Sequence, residues 1–312
     1  MIALSLKSLV KNNKITHKTY FWLLKKMFSS KIIPNTIPTK LYYRISTGKK
    51  LNLKNPENLN EKIQWMKLYY KNPLHSKCAD KFEVREFVEK MGCKDTLNEL
   101  YGVYDKAEEI DFDALPDKFA IKCTHGCGTN IICNSKSSLN REKAVASLNE
   151  WLLKTTGDHT GESHYRDITP KIIVEKYIGA DDGTFPLDYK IFCFHGKPYG
   201  ICVFSGRNSE NHETKRCFFD FEWNHMADVV PERLSAPPQS FKKPACLDQM
   251  YEVAKKLSSP FPFVRCDLYE FENKVIFGEL TFTPAGGISK GFSDKSMKEM
   301  GALLDLTGLK NK

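Results

Sequence analysis

The chain has 312 residues, of which 47 are Lys or Arg and 38 are Asp or Glu, giving a net charge of +9. The whole positive excess lies in residues 1–54, which contain twelve basic side chains and no carboxylate, whereas the remaining 258 residues carry a net charge of −3. This distribution argues against a protein that coats nucleic acid, since the body of the chain would then be basic. A hydrophobic fraction of 41% argues against a disordered chain.

Targeting signals and paired cysteines are not evident in the sequence. No apolar run approaches the roughly 20 residues that span a bilayer, and no secretory signal is found at the N-terminus. Cys123 and Cys127 have no second cysteine pair, which argues against a zinc site. We therefore expect a cytoplasmic protein whose cysteines are reduced.

Helical patterns dominate the N-terminal part of the chain. Residues 1–33 form a basic amphipathic stretch that Pro34 and Pro38 are expected to break. Apolar spacing predicts further helices over residues 60–70 and 79–90.

Strands and helices alternate after residue 116. The pattern predicts strands at 119–123 and 171–178, a helix at 141–154, a hairpin beginning with DYKIFCF, a helix at 247–257 and a final hairpin. This order of elements indicates an α+β fold.

The final hairpin places two carboxylates opposite each other. A three-residue turn centred on Asn273 makes Asp267 face Glu279 and Arg265 face Thr281, with apolar residues on the other side of the strands. A shift by one residue would move both carboxylates into the apolar layer, so the hydrophobic pattern favours the first register.

Two opposed acids repel each other and need a stabilising partner. Mg²⁺ is one candidate, because it binds one or two carboxylates together with phosphate oxygens and water. The alternative is a surface ladder in which Arg265 neutralises both acids. The residues alone leave both explanations open.

Two other segments carry candidate anion-binding groups. In IKCTHGCGTN, alternation turns Lys122 away from the apolar face, and Gly126 and Gly128 allow backbone N–H groups to approach an anion. A plain hairpin tip would show the same pattern. In DYKIFCF, Lys190 is either an interior charge with a partner or a lysine on an edge strand.

Several long segments between residues 52 and 287 resemble the TupA-like (teichuronopeptide-biosynthesis) branch of the ATP-grasp superfamily. The matching segments are NPENLNEKIQWMKLYY, ADKFEVREFV, LYGVYDKAEEIDFDALPDKFAIKCTHGCGTNIIC, IIVEKYI, DYKIFCF, PFVRCDLYE and FGELTFTPAGG. The resemblance implies an ATP-grasp fold, in which two α+β subdomains hold ATP, preceded here by a basic helical segment. The implied domains are the helical segment at 1–75, the small or lid subdomain at 76–178 and the large catalytic subdomain at 179–312.

The resemblance also implies roles for individual residues. Those that match ATP-binding positions are Lys81, Lys122, Gly126, Gly128, Glu175, Lys176, Tyr177, Ile178 and Lys190. Asp267 and Glu279 match the acids that bind Mg²⁺. Arg265, together with Lys190 and Lys122, would stabilise charge on the transferred phosphoryl group. Many ATP-grasp ligases carry Asn where this chain has Thr281, which is therefore a weaker candidate ligand.

The implied activity is an ATP- and Mg²⁺-dependent carboxylate–amine ligase. A carboxylate would attack the γ-phosphate to give an acyl phosphate and ADP, and an amine would then displace phosphate. The family points to a uronic-acid carboxylate of a cell-surface polysaccharide or its lipid-linked precursor, joined to an amino acid or other amine. The alternatives are a glycosyltransferase of capsular or O-antigen biosynthesis and a non-catalytic nucleotide-binding scaffold.

The acid-free N-terminal segment has two interpretations. Residues 1–50 would suit an anionic membrane surface, at about 1 kcal/mol for each well-placed lysine, which would place the protein at the inner face of the membrane. Alternatively, these residues pack as helices against the catalytic domains, and their lysines are simply solvated.

Overall fold

A computed structural model describes residues 14–179, 185–205 and 215–310. Within these ranges the α-helices are α1 Lys14–Ser29, α2 Thr36–Thr47, α3 Leu59–Tyr69, α4 Leu74–Ala79, α5 Val84–Lys90, α6 Arg141–Leu152, α7 Leu247–Ser258 and α8 Asp294–Leu303. The strands are β1 Leu100–Tyr104, β2 Phe119–Cys123, β3 Asn130–Cys133, β4 Ile172–Lys176, β5 Asp188–Phe194, β6 Lys197–Ser205, β7 Lys215–Phe219, β8 Phe263–Phe271 and β9 Lys274–Thr281.

The chain divides into two compact units. Unit 1 comprises the described parts of residues 1–73, 155–166 and 283–312, and unit 2 comprises those of 74–154 and 167–282. Unit 1 contains helices α1, α2, α3 and α8, while unit 2 contains all nine strands of the described ranges. The combination confirms the predicted α+β class.

Helices α1 and α2 share an apolar cluster in unit 1. Tyr20, Leu24 and Phe28 recur every four residues on one face of α1 and are buried with Tyr42 of α2. Helix formation is thus confirmed for residues 14–29, while residues 1–13 lie outside the described residues. Helix α1 ends at Ser29, before Pro34, so the predicted break is confirmed there. Pro38 does not interrupt a helix but lies in the first turn of α2, where its missing N–H has no intrahelical acceptor.

Helix α3 begins at a capping box. The Asn58 side chain accepts the backbone N–H of Glu61, and the Glu61 carboxylate accepts the N–H of Asn58. The helix predicted over residues 60–70 is therefore confirmed.

Helix α5 forms only the second half of the helix that the sequence predicts over residues 79–90, because α4 ends at Ala79 and the chain breaks before α5 begins at Val84. The break contains Asp80 and Lys81, and the Asp80 carboxylate accepts the N–H groups of Phe82 at 2.7 Å and Glu83 at 2.9 Å. Because these bonds satisfy donors at the start of a new helix, they favour a restart over a continuous helix. The break puts Lys81 outside both helices.

Two antiparallel sheets form the body of unit 2. Sheet A has the strand order β1-β4-β2-β3, and sheet B has the order β7-β6-β5-β8-β9. Helix α7 covers sheet B with Met250, Ala254 and Leu257, which are fully buried. Strands β2, β4 and both hairpins are confirmed, whereas β1, β3 and β7 carry no pattern that predicts them.

Sheet A lies between residues 76 and 178, and sheet B lies after residue 179. The domain boundaries at residues 75 and 178 themselves stay a prediction. Across the described ranges, no helix is both long and apolar enough to cross a bilayer.

Candidate functional site

The β8–β9 hairpin has the predicted facing pairs but a different turn. Its turn has two residues, Glu272 and Asn273, with φ values of +53° and +58°, as in a type I′ hairpin turn. The predicted three-residue turn is therefore wrong. Beyond the turn, a β-bulge between Asp267 and Leu268 offsets the missing turn residue, so that Asp267 still faces Glu279.

Gly278 allows this bulge to form. A Cβ atom at position 278 would lie 2.8 Å from the backbone oxygen of Asp267 and 2.8 Å from Cε2 of Tyr269, closer than real side chains approach. Only glycine fits here without movement of the strand. A local feature of β9 thus sets which residues face the acid of β8.

Asp267 is a buried carboxylate that binds two cations. Only 1% of the Asp267 surface is exposed to solvent. Arg265 donates Nε–H to Oδ1 at 2.6 Å and Nη2–H to Oδ2 at 2.6 Å, and the Lys190 ammonium also contacts Oδ2. Burial by itself would raise the pKa of Asp267, but Arg265 and Lys190 lower it below its ordinary value. The carboxylate is therefore ionised at neutral pH.

Lys190 lies on the central strand of sheet B, between β6 and β8. The residue is 6% exposed, and its ammonium contacts both Asp267 and Asp188, the latter at 3.0 Å. The interpretation as an interior charge with a partner is thus confirmed, and the edge-strand alternative is wrong. A buried cation on a central strand needs such partners because its isolated charge would be costly.

Glu279 and Thr281 complete the oxygen-rich end of the hairpin. The Glu279 side chain is 41% exposed and accepts the Thr281 hydroxyl at 3.1 Å, with the Arg265 Nη2 at 3.4 Å. Two carboxylates and a hydroxyl form an oxygen-only donor set, which fits Mg²⁺. No cluster of three or more His, Cys, Asp or Glu side chains suited to a metal occurs among the described residues. Further ligands for Mg²⁺ would then be phosphate oxygens and water.

Sheet A contributes a second ion-paired group. Lys122 on β2 donates to the Glu175 Oε2 atom of β4 at 2.7 Å, and Arg85 approaches the Oε1 atom at 3.4 Å. Glu175 is 7% exposed. Its carboxylate therefore holds the Lys122 ammonium near the C-terminal end of β2, a contact that the sequence does not predict.

Lys81 joins the glycine-containing loop between β2 and β3. Its backbone N–H donates to the Thr124 carbonyl at 3.1 Å, and its ammonium contacts the carbonyl oxygen of Gly126. Burial lowers the pKa of Lys81 from its ordinary value. Gly128 has a φ of +72°, a conformation that glycine adopts without strain. The loop is thus tied to Lys81 through its backbone.

The side chains of both sheets meet at a cavity of about 460 Å³, within the usual range of small-molecule pockets. The predicted residues that line it are Lys81, Lys122, Gly128, Glu175, Ile178, Lys190, Arg265, Asp267 and Glu279. Gly126, Lys176, Tyr177 and Thr281 are not among the lining residues. Nine of the thirteen predicted site residues, drawn from segments almost 200 residues apart, therefore share one cavity.

Other lining residues were missed by the sequence reasoning. Asp188 and Tyr269 lie two residues from Lys190 and Asp267 on their strands, so alternation along β5 and β8 would have found both. Asn98 and Phe204 also line the cavity, and no sequence pattern marks them. Asn98 donates its side-chain N–H to the Lys176 carbonyl at 2.8 Å, which connects it to the predicted adenine-binding segment.

Comparisons with solved structures find distant similarity to ligases. D-Alanine–D-alanine ligase from Bacillus anthracis complexed with ATP is 15% identical, with 76% of this chain and 67% of that chain covered and a TM-score of 0.47. L-Amino acid ligase from Bacillus licheniformis is 13% identical, with 74% and 50% covered and a TM-score of 0.45. The chain thus spans half the length of that ligase. No curated protein sequence matches the chain.

The model of the TupA-like ATP-grasp family matches residues 61–305, which include every residue that lines the cavity. This match confirms the predicted resemblance. Because it extends over well more than half of the chain, the chain belongs to the TupA-like ATP-grasp family.

Proposed function

We propose that the protein is an ATP- and Mg²⁺-dependent ligase that joins a carboxylate to an amine. The observation that carries the proposal is the ion-paired group of Asp267, Arg265 and Lys190, which faces the partly exposed Glu279 in a cavity also lined by Lys122. Family membership favours this activity over the glycosyltransferase alternative.

ATP is proposed to bind across the cavity. Lys81, Lys122 and Lys190 would bind the phosphates, and residues 175–178 would contact adenine through their backbone. The Lys176 N–H already donates to the Glu99 carbonyl at 2.9 Å, so adenine would use the remaining backbone groups of this segment. Gly126 and Gly128 would let the loop between β2 and β3 approach the phosphates closely.

Charge balance explains why a metal ion would be needed. Four basic and four acidic side chains line the cavity, and a triphosphate would bring excess negative charge to this balanced site. Asp267 and Glu279, with Thr281 as a weaker candidate, would hold Mg²⁺. The ion would supply positive charge that neutralises the phosphate oxygens.

The chain's own residues would chiefly position the reactants. An oxygen of the substrate carboxylate attacks the γ-phosphorus, the bond to the β,γ-bridging oxygen breaks, and ADP leaves. The amine nitrogen then attacks the acyl carbon, the carbon–oxygen bond to phosphate breaks, and the nitrogen loses a proton. Arg265 and Lys190, which are positioned by Asp267, would stabilise the negative charge that develops during phosphoryl transfer.

The carboxylate is proposed to be a uronic acid of a cell-surface polysaccharide or of its lipid-linked precursor, and the amine an amino acid or related compound. The resemblance to the teichuronopeptide-biosynthesis branch supports this substrate class. The reaction would then take place in the cytoplasm, at the inner face of the membrane.

The test is ADP release from ATP with Mg²⁺, measured with panels of uronic acids and amino acids. We expect release only when a carboxylate and an amine are both present. Lys190→Met should reduce turnover about a thousandfold, if that cation supplies about 4 kcal/mol to phosphoryl transfer. Lys197→Met is the matched control, because Lys197 is exposed at the far end of the β5–β6 hairpin.

Two results would contradict the proposal. Release of a nucleoside diphosphate from a sugar donor would indicate a glycosyltransferase. Binding of ATP without turnover for any pair of substrates, with Lys190→Met still active in the cell, would indicate a non-catalytic scaffold.

A further inference from the structure

We propose that the outward face of α1 docks on an anionic membrane surface. The α1 patch is defined by Trp22, Leu23, Lys26, Lys31 and Ile32, which belong to the helix and to the turn that follows it. All five residues are exposed. The inference concerns a surface of unit 1 and is independent of the proposed ligase activity.

The orientation of α1 is set by its buried face. Leu24 is fully buried, and Tyr20 and Phe28 are each 5% exposed, so the helix cannot rotate to hide its other side. Trp22 points away from these residues and is 59% exposed, and Ile32 is 91% exposed. Trp22, Leu23 and Ile32 thus put three exposed large apolar side chains within eleven residues of sequence, more than the single exposed residues that ordinary surfaces carry.

The α1 patch also contains two exposed lysines, Lys26 and Lys31. The Lys26 ammonium lies 5.8 Å from the centroid of the Trp22 ring, one helical turn away. In the part of the chain that the structure describes, neither Lys26 nor Lys31 forms an ion pair, whereas neighbouring Lys25 pairs with Asp158 at 3.2 Å. The first carboxylate in the sequence is Glu57, so the segment that carries the patch contributes no acid of its own.

This combination favours a lipid surface over a second copy of the chain. Two copies that met through this patch would bring lysines against lysines, which costs free energy. Anionic headgroups would instead bind the ammonium groups, while the headgroup–acyl boundary would accept the Trp22, Leu23 and Ile32 side chains. The lysine stems would lie along this boundary with their charges in the headgroup layer.

Point substitutions test the patch better than truncation. Deleting residues 1–33 would remove the fully buried Leu24, and any loss of binding could then reflect misfolding. The charge variant is the double substitution Lys26→Glu with Lys31→Glu. Its control is Lys242→Glu with Lys243→Glu, which changes the net charge equally at two exposed lysines of unit 2.

The first experiment measures sedimentation of the full chain with phosphatidylcholine vesicles, with and without phosphatidylglycerol. We expect binding only to the vesicles that contain phosphatidylglycerol, with an affinity that decreases as salt is added. Each lysine near the surface should contribute about fivefold to the partition coefficient, so the charge variant should lower it about 25-fold or more. The unit 2 control should leave it within about twofold.

The second experiment measures insertion of the apolar side chains. Brominated lipid in the vesicles should quench the fluorescence of the wild-type protein, and Trp22→Ser should remove most of this quenching. Ile32→Ser should weaken binding, whereas Leu153→Ser should not, although Leu153 is 85% exposed.

Three outcomes would overturn the proposal. These are equal binding to vesicles with and without phosphatidylglycerol, absence of binding to either, and a concentration-dependent dimer that the charge variant abolishes or strengthens.

Discussion

Replacing Gly278 by alanine would test whether the β-bulge in β9 sets the register of the candidate site. The added Cβ would lie 2.8 Å from the backbone oxygen of Asp267, and the neighbour on the other side is the Tyr269 ring, also at 2.8 Å. The backbone oxygen cannot move away without a shift of β8. The strands must therefore separate locally, or the bulge must be lost.

Each response has its own cost. Local separation is a form of overpacking and should lower the free energy of unfolding by about 1–3 kcal/mol. Loss of the bulge would slide β9 by one residue and turn Glu279 toward the side of the sheet that holds the buried Cys266 and Leu280. In either case Glu279 no longer faces Asp267 as it does now, so Mg²⁺-dependent binding of ATP should weaken about tenfold or more, the effect expected for a misplaced metal ligand.

The assay combines urea unfolding with calorimetric titration of ATP in the presence of Mg²⁺. Gly200→Ala is the matched control, because its Cβ would lie 2.3 Å from Cε1 of Phe218 in the same sheet, and Gly200 does not line the cavity. Both variants should be destabilised, but only Gly278→Ala should lose affinity for ATP and Mg²⁺. Unchanged stability of Gly278→Ala, or equal losses of affinity in both variants, would refute the reasoning.

Three further substitutions or modifications have defined outcomes. Asp267→Asn should lower the free energy of unfolding by about 3–5 kcal/mol at neutral pH, because it leaves the buried cations Arg265 and Lys190 undercompensated. Folding lowers the pKa of Asp267, so the ionised carboxylate contributes fully to the free energy of unfolding above its ordinary pKa of 3.8, and this contribution is lost as the pH falls below that value. The free energy of unfolding should therefore fall more steeply with acid in the wild-type protein than in Asp267→Asn. A maleimide should modify Cys127 first, because it is exposed and the other nine cysteines are buried. Bound ATP should slow this reaction, because Cys127 lines the cavity. Equal rates of modification with and without ATP would mean that ATP binds elsewhere. Burial lowers the pKa of Lys67 to about 8, so between pH 8 and 10.5 the folded state loses a proton that the unfolded state keeps. Over this range the free energy of unfolding of the wild-type protein should rise relative to that of Lys67→Met. Parallel curves of unfolding free energy against pH would contradict this.

The predicted register shows how far local patterns reach. Alternation along β8 and β9 correctly put Asp267 opposite Glu279, although the turn behind that prediction has two residues instead of three. The predicted pairing of Asp267 with Glu279 is nevertheless correct, because the bulge adds to β9 the residue that the turn lacks. The requirement for acids on one face and apolar residues on the other predicts the register from the sequence, and in the structure the bulge at Gly278 makes the two-residue turn compatible with it.

Lys190 is a residue whose environment local sequence patterns do not predict. Its position on an aromatic strand left two interpretations open, because a sequence does not state which strands flank it. The order of sheet B resolves the question by placing β8, and with it Asp267, beside β5. The pairing of Lys122 with Glu175 likewise depends on β4 lying next to β2.

The sequence by itself thus determined which side chains share a face, the acid-free N-terminal segment and the family, because strand and helix periodicity and charge are local properties of the chain. Only the tertiary structure decided which faces meet, since many strands have the same alternation and any of them could pair. The cavity that joins Lys81 to Glu279 is a product of that long-range choice. The N-terminal segment shows the same division. Its positive charge was evident from composition, but only the burial of Leu24 decided that Trp22 and Lys26 would face outward.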